Sequence, residues 1–245
     1  MAEAVIRHQV SLILRLIDTT TGNAVPETRV QMLKAGKPLQ CFAKGDGIYV
    51  LINVAKEDFF LQVNVYGYEE RRMWVQYEEL DSRMPMSEVF LMPKERHTGG
   101  EDILALRGNL PGIESIEAVK VGEHDCYMKS FDEEKLTMNL FNPHRRKMKN
   151  VHYAFVNAEK KTYEHFKVLK EISECMVMID HIPKKTYGVN FPIARVIFGM
   201  TGEDGSYALY VRDDAKEAVY LVKYQVKGKE KYQLIDFHHM EMLKK

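Results

Sequence analysis

The sequence has few cysteines, no long apolar run and no excess of charge. Its three cysteines, Cys41, Cys126 and Cys175, are odd in number and far apart. They favour reduced, buried thiols over a disulfide framework or a metal knuckle. The longest apolar stretches, near residues 10–17 and 219–226, contain charged residues and are far shorter than the roughly 20 residues that a membrane-spanning helix needs. We therefore expect no membrane insertion.

The balance of charge restricts the classes of partner. The 245-residue chain has 35 Lys and Arg residues against 35 Asp and Glu residues. A protein without a global positive field does not attract polyanions over its whole surface, so we do not expect nucleic acid as a partner. The first eight residues lack the apolar core of a signal peptide, and we expect a cytoplasmic protein.

The first third of the chain alternates apolar and polar residues with the period of two that is typical of β-strands. Turn-forming residues separate the runs, as at Asp18-Thr-Thr-Thr-Gly22. The pattern predicts an antiparallel β-sandwich or another closed antiparallel sheet. The predicted strands are residues 10–17, 28–33, 39–43, 48–54, 59–66, 71–77 and 88–92.

Beyond this region, residues 93–102 are polar and contain paired glycines, which predicts a linker. Short runs at 125–130, 136–141 and 151–156 then predict a β-meander. Residues 162–172 fit both a helical stripe and a strand, and we favour the strand. Ile113, Ile116 and Val119 are spaced as in a short helix. The predicted organisation is 1–92, a linker at 93–102, a meander domain at 103–185 and a C-terminal β unit at 186–245.

An internal echo, by which we mean a short motif that occurs twice in the chain, supports tandem units. Asp46-Gly47-x-Tyr49-x-Leu51 recurs as Asp204-Gly205-x-Tyr207-x-Leu209, and an alternating apolar run follows each copy. We interpret the echo as a tight turn, with glycine at positive φ, that leads into a strand with Tyr and Leu on one face. The predicted fold class is therefore mainly β, built from tandem small antiparallel sandwich or meander units.

A motif series gives a family resemblance: Asp18-x-x-Thr21-Gly22-x-x-Val25-Pro26, Val30, Asp46-Gly47-x-Tyr49-x-Leu51 and Leu61-x-Val63-x-Val65-x-Gly67-Tyr68. Residues 9–92 resemble a carboxypeptidase regulatory-like domain, which is a transthyretin-like, Ig-like sandwich. The resemblance implies a seven-stranded Greek-key module used for spacing or protein contact, without catalytic residues. Residues 193–236 resemble only its later half, and the middle of the chain resembles no family that we identify.

The sequence lacks the motifs of the common enzyme classes. Its nine histidines form no His-Glu-x-x-His, and the closest groups are His124-Asp125-Cys126 and His238-His239. Ser206 is not in a nucleophile elbow, and no loop has the pattern that cradles phosphates. We therefore predict no catalytic, cofactor-binding or metal-binding residue.

Two groups are candidates for partner contact. Trp74, the only tryptophan, and Tyr68 could form a sticky edge or a platform for sugars, or they could be sandwich core. Arg145, Arg146 and Lys147 form the one basic cluster, which could bind an acidic partner or could be a solvated loop.

Three function classes stay open. The leading expectation is a non-enzymatic structural or adaptor protein that docks onto protein partners in a large complex, with self-association allowed. By analogy with the use of such modules, one example is an accessory, cap or baseplate component of a phage-tail-like contractile particle. Unpaired edges at 10–17 or 88–92 would offer contact surfaces. The alternatives are a glycan-binding or other ligand-binding module, and an enzyme with a site near His124, Asp125, His144 and His152.

Overall fold

The computed structural model describes residues 10–26, 28–94, 103–122, 124–212 and 219–237. These residues form twenty β-strands and one 3-10 turn, Tyr77–Glu79, with no α-helix among them. The predicted fold class, mainly β with tandem small units, is confirmed. The chain divides into two compact units, one from the described parts of residues 1–19 and 23–100 and one from those of 20–22 and 101–245. Over the described ranges no helix is long and apolar enough to cross a membrane.

The first unit is a sandwich of two four-stranded sheets. Its strands are β1 (Val10–Asp18), β2 (Val30–Lys34), β3 (Lys37–Pro38), β4 (Cys41–Ala43), β5 (Ile48–Ile52), β6 (Phe59–Val65), β7 (Arg71–Val75) and β8 (Met86–Leu91). The sheet orders are β4-β5-β1-β8 and β3-β2-β6-β7. Strands β1 and β8 are parallel, and the other pairs are antiparallel. One apolar core receives Leu12 and Leu14 from the first sheet and Leu61 and Val63 from the second.

The sheet edges differ from those expected. Strand β1 lies between β5 and β8, so residues 10–17 are not an edge. Its burial explains why: Leu12, Leu14 and Leu16 are fully buried, as the central strand of a packed sheet requires. Residues 88–91 belong to β8, which is the edge of its sheet, and β7 is the edge of the other sheet.

The second unit contains a nine-stranded sheet and a three-stranded sheet. Its strands are β9 (Ile103–Asn109), β10 (Ile113–Lys120), β11 (Cys126–Asp132), β12 (Thr137–Phe141), β13 (His152–Asn157), β14 (Thr162–Ser173), β15 (Met176–Ile179), β16 (Phe191–Phe198), β17 (Met200–Thr201), β18 (Ser206–Arg212), β19 (Val219–Val226) and β20 (Lys229–Asp236). The sheet orders are β11-β12-β15-β14-β13-β16-β10-β19-β20 and β17-β18-β9.

Six strands of the large sheet close into a ring, because β16 pairs with β11 as well as with β13. The core associated with the ring contains large side chains, among them Tyr153, Phe155 and Phe166. A second core joins Ile116 and Val222 of the large sheet to Leu104 and Leu209 of the small one. The second unit is therefore packed on both faces of its central strands.

Two ambiguous segments of the second unit are both strands. Residues 162–172 lie in β14, which confirms the prediction of a strand. Residues 113–119 lie in β10, so the alternative of a short helix there is wrong. Strand β10 pairs with β16 and β19 and is buried on both faces, and its apolar residues consequently do not alternate. The proposed division at residue 185 separates strands of one sheet, since β16 pairs with β13.

The echoed turns share their main feature. Gly47 and Gly205 both have positive φ, at 71° and 82°. Tyr49 and Leu51 both lie in the core of the first unit, while Leu209 lies in a core of the second with Tyr207 packed against it. Each turn thus leads into a strand that buries Tyr and Leu together. The strands pair differently, because β5 lies beside β1 and β18 beside β9.

The Asp46-Gly47 turn provides a test of the first unit. A Cβ atom on Gly47 would lie 2.6 Å from the carbonyl oxygen of Leu16, whereas one on Gly45, at φ 80°, would meet nothing within 4 Å. We expect Gly45→Ala to lower the free energy of unfolding by about 1 kcal/mol, because of its backbone conformation alone. Gly47→Ala should lower it by at least about 2 kcal/mol. Urea unfolding followed by Trp74 fluorescence measures both values. Equal costs would contradict the close approach of Gly47 to β1.

Candidate functional site

The outer surface of the β2-β6-β7 sheet carries exposed aromatic side chains. In β6 the alternate residues Phe59, Leu61, Val63 and Val65 are buried, so the intervening side chains point away from the core. Phe60 is 66% exposed and Trp74, on the neighbouring strand, is 47% exposed. We call this surface the aromatic face and define it by Phe60, Gln62, Asn64, Tyr66, Arg72 and Trp74.

The centre of the aromatic face is a cross-strand pair. Phe60 and Trp74 are directly opposite each other in the β6–β7 ladder, and their ring centroids are 4.5 Å apart with an interplanar angle of 60°. Trp74 is therefore not a core residue, because β7 places Met73 and Val75 on its inner side instead. Together the two rings form an apolar patch on an otherwise polar sheet surface.

A polar border lies beside this pair. The Gln62 side-chain amide donates a hydrogen bond to Glu70 over 2.9 Å, and Arg72 Nε donates to the same carboxylate over 2.7 Å. Because Glu70 bonds both groups, Gln62 and Arg72 are held in place next to the aromatic rings. An aromatic centre with a hydrogen-bonded polar rim is the usual arrangement of a protein contact surface.

Tyr68, the second predicted aromatic contact, has a different environment. Its hydroxyl donates a hydrogen bond to Asp18 Oδ2 over 2.9 Å, and its ring packs against the core of the first unit. One side of Tyr68 also lines a depression of about 360 Å³ together with Arg29, Tyr66 and Lys94. Tyr68 therefore connects β1 to the turn after β6 and lies outside the aromatic face.

The predicted basic cluster lies in the second unit. Arg146 pairs with the Asp125 carboxylate, and the Asn142 side chain bonds both the N–H and the carbonyl of Arg146. Arg145 and Lys147 are exposed, and their side chains make no hydrogen bond or ion pair to any other residue that the structure describes. All three line a groove of about 330 Å³. Glu171 and Glu174 line it too, so its charge is mixed.

Two residues of the enzyme hypothesis, Asp125 and His152, have structural partners. Asp125 accepts a hydrogen bond from the Arg195 N–H over 2.7 Å in addition to its pairing with Arg146. His144 is exposed in a loop, whereas His152 is buried. Within the described ranges, no group of three or more His, Cys, Asp or Glu side chains could hold a metal ion. His238 and His239 lie outside these ranges.

The cysteines are less uniform than expected. Cys126 is buried, Cys41 is half-buried and Cys175 is exposed, so the prediction of buried thiols is wrong for Cys175. Burial raises the pKa of the Cys126 thiol and, less strongly, that of Cys41. A raised pKa keeps a thiol protonated and poorly nucleophilic at neutral pH.

The second unit contains a largely buried polar cluster that the sequence did not predict. His152 Nδ1 and His165 Nε2 are 2.8 Å apart, and His165 Nδ1 is 3.6 Å from Glu117 Oε2. The other oxygen of Glu117 pairs with Lys223. The cluster thus links β13, β14, β10 and β19. The sequence signal for this cluster is that Glu117 and Lys223 are charged residues within apolar runs. No spacing along the chain relates these two residues to the two histidines.

Within this cluster, burial dominates the titration of His165. It lowers the pKa of His165 to about 4, against the opposing attraction of Glu117 and with further lowering from His152 and Lys223. His165 is consequently neutral at pH 7, and its Nε2 lies within hydrogen-bond distance of His152 Nδ1. Since Glu117 is already paired with Lys223, the cluster acts as a structural link between strands.

The exposure of Trp74 predicts the stability of its variants. Trp74→Ala removes an exposed cross-strand contact and is expected to cost less than about 1 kcal/mol. Leu61→Ala, in the fully buried core of the same unit, is expected to cost about 2 to 5 kcal/mol. Urea unfolding followed by circular dichroism compares them. A loss at Trp74 as large as that at Leu61 would mean that Trp74 is core.

The His165 environment predicts acid sensitivity. The unfolded chain, with an ordinary histidine pKa near 6.5, binds a proton more readily than the folded chain, with its pKa of about 4. The contribution of neutral His165 to the free energy of unfolding is therefore complete above about pH 6.5. It is lost as the pH falls to about 4, and the loss is at most about 3 kcal/mol. The charged groups that act on His165 are His152, Glu117, Lys223 and Asp180.

Urea unfolding at a series of pH values between 4 and 7 measures this effect. The variant His165→Gln should lose this part of the pH dependence, whereas His144→Gln, in an exposed loop, should retain it. If the free energy of unfolding depended on pH in the same way in both variants, His165 would not titrate as the structure implies.

The comparisons with known proteins give no family for this chain. A scan against models of protein families finds no match, and a search of curated proteins finds none either. The similarity of residues 9–92 to a carboxypeptidase regulatory-like domain accordingly depends on the motif residues themselves. The function must therefore be argued from the aromatic face and from the contacts described above.

Proposed function

We propose that this protein is a non-enzymatic structural or adaptor protein, which docks onto a protein partner through the aromatic face of its first unit. The observation that carries the proposal is the exposed pair Phe60 and Trp74 on the outer side of a sandwich that already has a complete core. Neither ring is needed to fill that core. Both are available to a partner.

The energetics of such a pair favour protein contact. Complete burial of a large apolar side chain contributes roughly 1.5 to 3 kcal/mol of free energy. Because both rings are still partly exposed, a partner that covers them would obtain part of this free energy on binding. In addition, Gln62 and Arg72 are already held by Glu70 beside the rings, so little side-chain freedom is lost when the border is covered. Tryptophan and arginine are also the residue types that most often dominate binding energy.

The titratable groups of the second unit support the non-enzymatic part of the proposal. Asp125 is engaged by Arg146 and Arg195, and Glu117 by Lys223. A carboxylate with a committed cation partner is a poor general base. The side chains of Arg145 and Lys147, which have no ion pair with any residue that the structure describes, would serve as a secondary contact for acidic groups of a partner.

In this proposal the partner belongs to a larger cytoplasmic assembly. Small β-sandwich modules of the kind that residues 9–92 resemble are used as spacers and contact modules. An accessory, cap or baseplate component of a phage-tail-like contractile particle is one assembly of this type. Homo-oligomerisation through the aromatic face would be another use of the same surface.

A second candidate function, glycan binding, has one specific observation in its favour. Along β6 the outward residues are Phe60, Gln62 and Asn64, and Tyr66 follows in the turn after the strand, so aromatic and amide side chains alternate. Aromatic faces stack on sugar rings, and amides bond their hydroxyl groups. The edge-on contact of Trp74 with Phe60 leaves a stepped surface, which fits a protein side chain better than a flat sugar ring.

The experiment compares three forms of the chain in lysate of the source cells: wild type, Trp74→Ala and Phe42→Ala. Phe42 is a matched control, an exposed aromatic residue on β4 of the same unit. Sedimentation gives the size of each complex, and cross-linking with mass spectrometry gives the contacts. We expect the wild type and Phe42→Ala to sediment with a protein cross-linked at the aromatic face, and Trp74→Ala to sediment mainly alone.

Other outcomes would overturn the proposal. Equal complexes in all three forms would exclude the aromatic face, and a wild-type chain that sediments alone would exclude the adaptor role. A glycan array covers the second candidate: binding by the wild type that is absent from Trp74→Ala would replace the protein partner with a glycan.

A further inference from the structure

We propose that β7 accepts an extended segment of the protein partner as an added strand, and that this segment carries an acidic residue for Arg71 and an apolar residue for the Phe60–Trp74 pair. The inference rests on the proposed function, because it specifies how the partner meets the aromatic face. It adds a backbone interaction and a charge to that contact. It also gives the partner segment a sequence pattern.

Strand β7 is a free edge. It pairs with β6 on one side, and no strand among the described residues pairs with its other side. The backbone of residues 71–75 makes no hydrogen bond to the described part of the chain apart from that ladder. An edge of five residues therefore presents unpaired N–H and C=O groups on which another strand can align.

The other edges of the first unit are less suitable. Strands β3 and β4 have two and three residues, which is too short to align an added strand over several hydrogen bonds. Strand β8 has six residues but carries no large hydrophobic side chain that is exposed. Only β7 combines a five-residue edge with an exposed aromatic pair.

The two faces of β7 differ in what they require of a partner. On the outer side, Trp74 is opposite Phe60, so an added strand would place one side chain beside the two rings. On the inner side, Arg71 is opposite the buried residue Val63. Side chains alternate along a strand, and residues 71 and 74 consequently project from opposite faces.

Arg71 is the feature that specifies the charge of the partner. Its side chain is half-buried, and burial lowers its pKa with no carboxylate acting against this shift. Arg71 makes no hydrogen bond or ion pair within the described residues, in contrast to Arg72, which is bonded by Glu70. A partly desolvated guanidinium without a partner is costly, and a carboxylate on the added strand would relieve that cost.

The geometry defines a simple pattern for the partner segment. One acidic and one bulky apolar residue lie three positions apart in an extended segment. The acidic residue precedes the apolar one if the added strand is parallel to β7 and follows it if the strand is antiparallel. The intervening residues need backbone N–H groups, so proline is excluded there.

The probe is the peptide acetyl-Glu-Thr-Thr-Leu-Thr-Thr-Glu-amide, which satisfies the pattern in both directions. Trp74 is the only tryptophan of the chain, so intrinsic fluorescence of the full-length protein reports directly on this site. We expect a saturable shift of the emission to shorter wavelength as the peptide is added up to millimolar concentration. The shift reflects the removal of water from Trp74.

Two control peptides separate the backbone from the charge. Replacement of both Glu residues by Lys should weaken binding at least about tenfold, because it places a cation beside Arg71. Replacement of the third and sixth residues by Pro should abolish the shift, because N–H groups alternate in direction along a strand and one of these two donors must face β7. These controls use the wild-type protein and do not depend on the folding of any variant.

A pair of variants assigns the charge to one side chain. Arg71→Gln should weaken binding of the Glu peptide by about tenfold, whereas Arg83→Gln, at an exposed arginine of the same unit outside the aromatic face, should change it less than about twofold. Circular dichroism and the urea midpoint establish that both variants are folded. If Arg71→Gln fails this check, the comparison of Glu and Lys peptides decides the charge.

Each contrary outcome overturns a stated part of the inference. No shift with the Glu peptide, or an equal shift with the Pro peptide, excludes strand addition at β7. Equal affinity for the Glu and Lys peptides excludes Arg71 as the donor to the peptide carboxylate and makes it a charge that protects the edge from aggregation. These results are distinguishable from a failure of the proposed function, which is measured by the sedimentation of Trp74→Ala with its partner.

Discussion

The packing of alternate β6 residues into the core of the first unit is the constraint on which its surface depends. Phe59, Leu61 and Val63 fill the space between the two sheets, and a strand has only two faces. Phe60 must therefore project outward, and the ladder then places it opposite Trp74. The exposed aromatic pair follows directly from the way in which the core is filled. A one-residue shift of β6 would bury Phe60 and expose the core.

The second unit differs from the first in the way its central strands are packed. Its strands β10, β13, β16 and β19 are apolar on both faces and need cover on both sides. The closed ring provides one cover and the three-stranded sheet another. The cluster of His152, His165, Glu117 and Lys223 lies within this packing, and the ion pair of Glu117 with Lys223 offsets part of the desolvation of both charges. Such a cluster favours one arrangement of these strands, because any other would leave a buried charge unpaired.

The free edge of β7 connects the fold of the first unit to its proposed role. Soluble β proteins commonly protect an edge with a charge that points inward, and Arg71 has that position. The same charge becomes an attractive contact for a partner strand with a carboxylate. Protection from self-pairing and selection of an acidic partner are thus two consequences of one side chain, since a second copy of β7 aligned in parallel would bring two arginines together.

The sequence alone determined most of the strands, because hydrophobic alternation and turn residues are local signals. It also determined that Tyr49 and Leu51 share a face. It did not determine the closed ring, the common sheet of residues 103–185 and 186–245, or β1 as a central strand. Those features depend on which strands pair, and pairing is set by contacts between residues far apart in the chain. For the same reason only the tertiary structure placed Trp74 on Phe60, set Arg71 on an edge strand where no described residue pairs with its side chain, and brought His165 to Glu117.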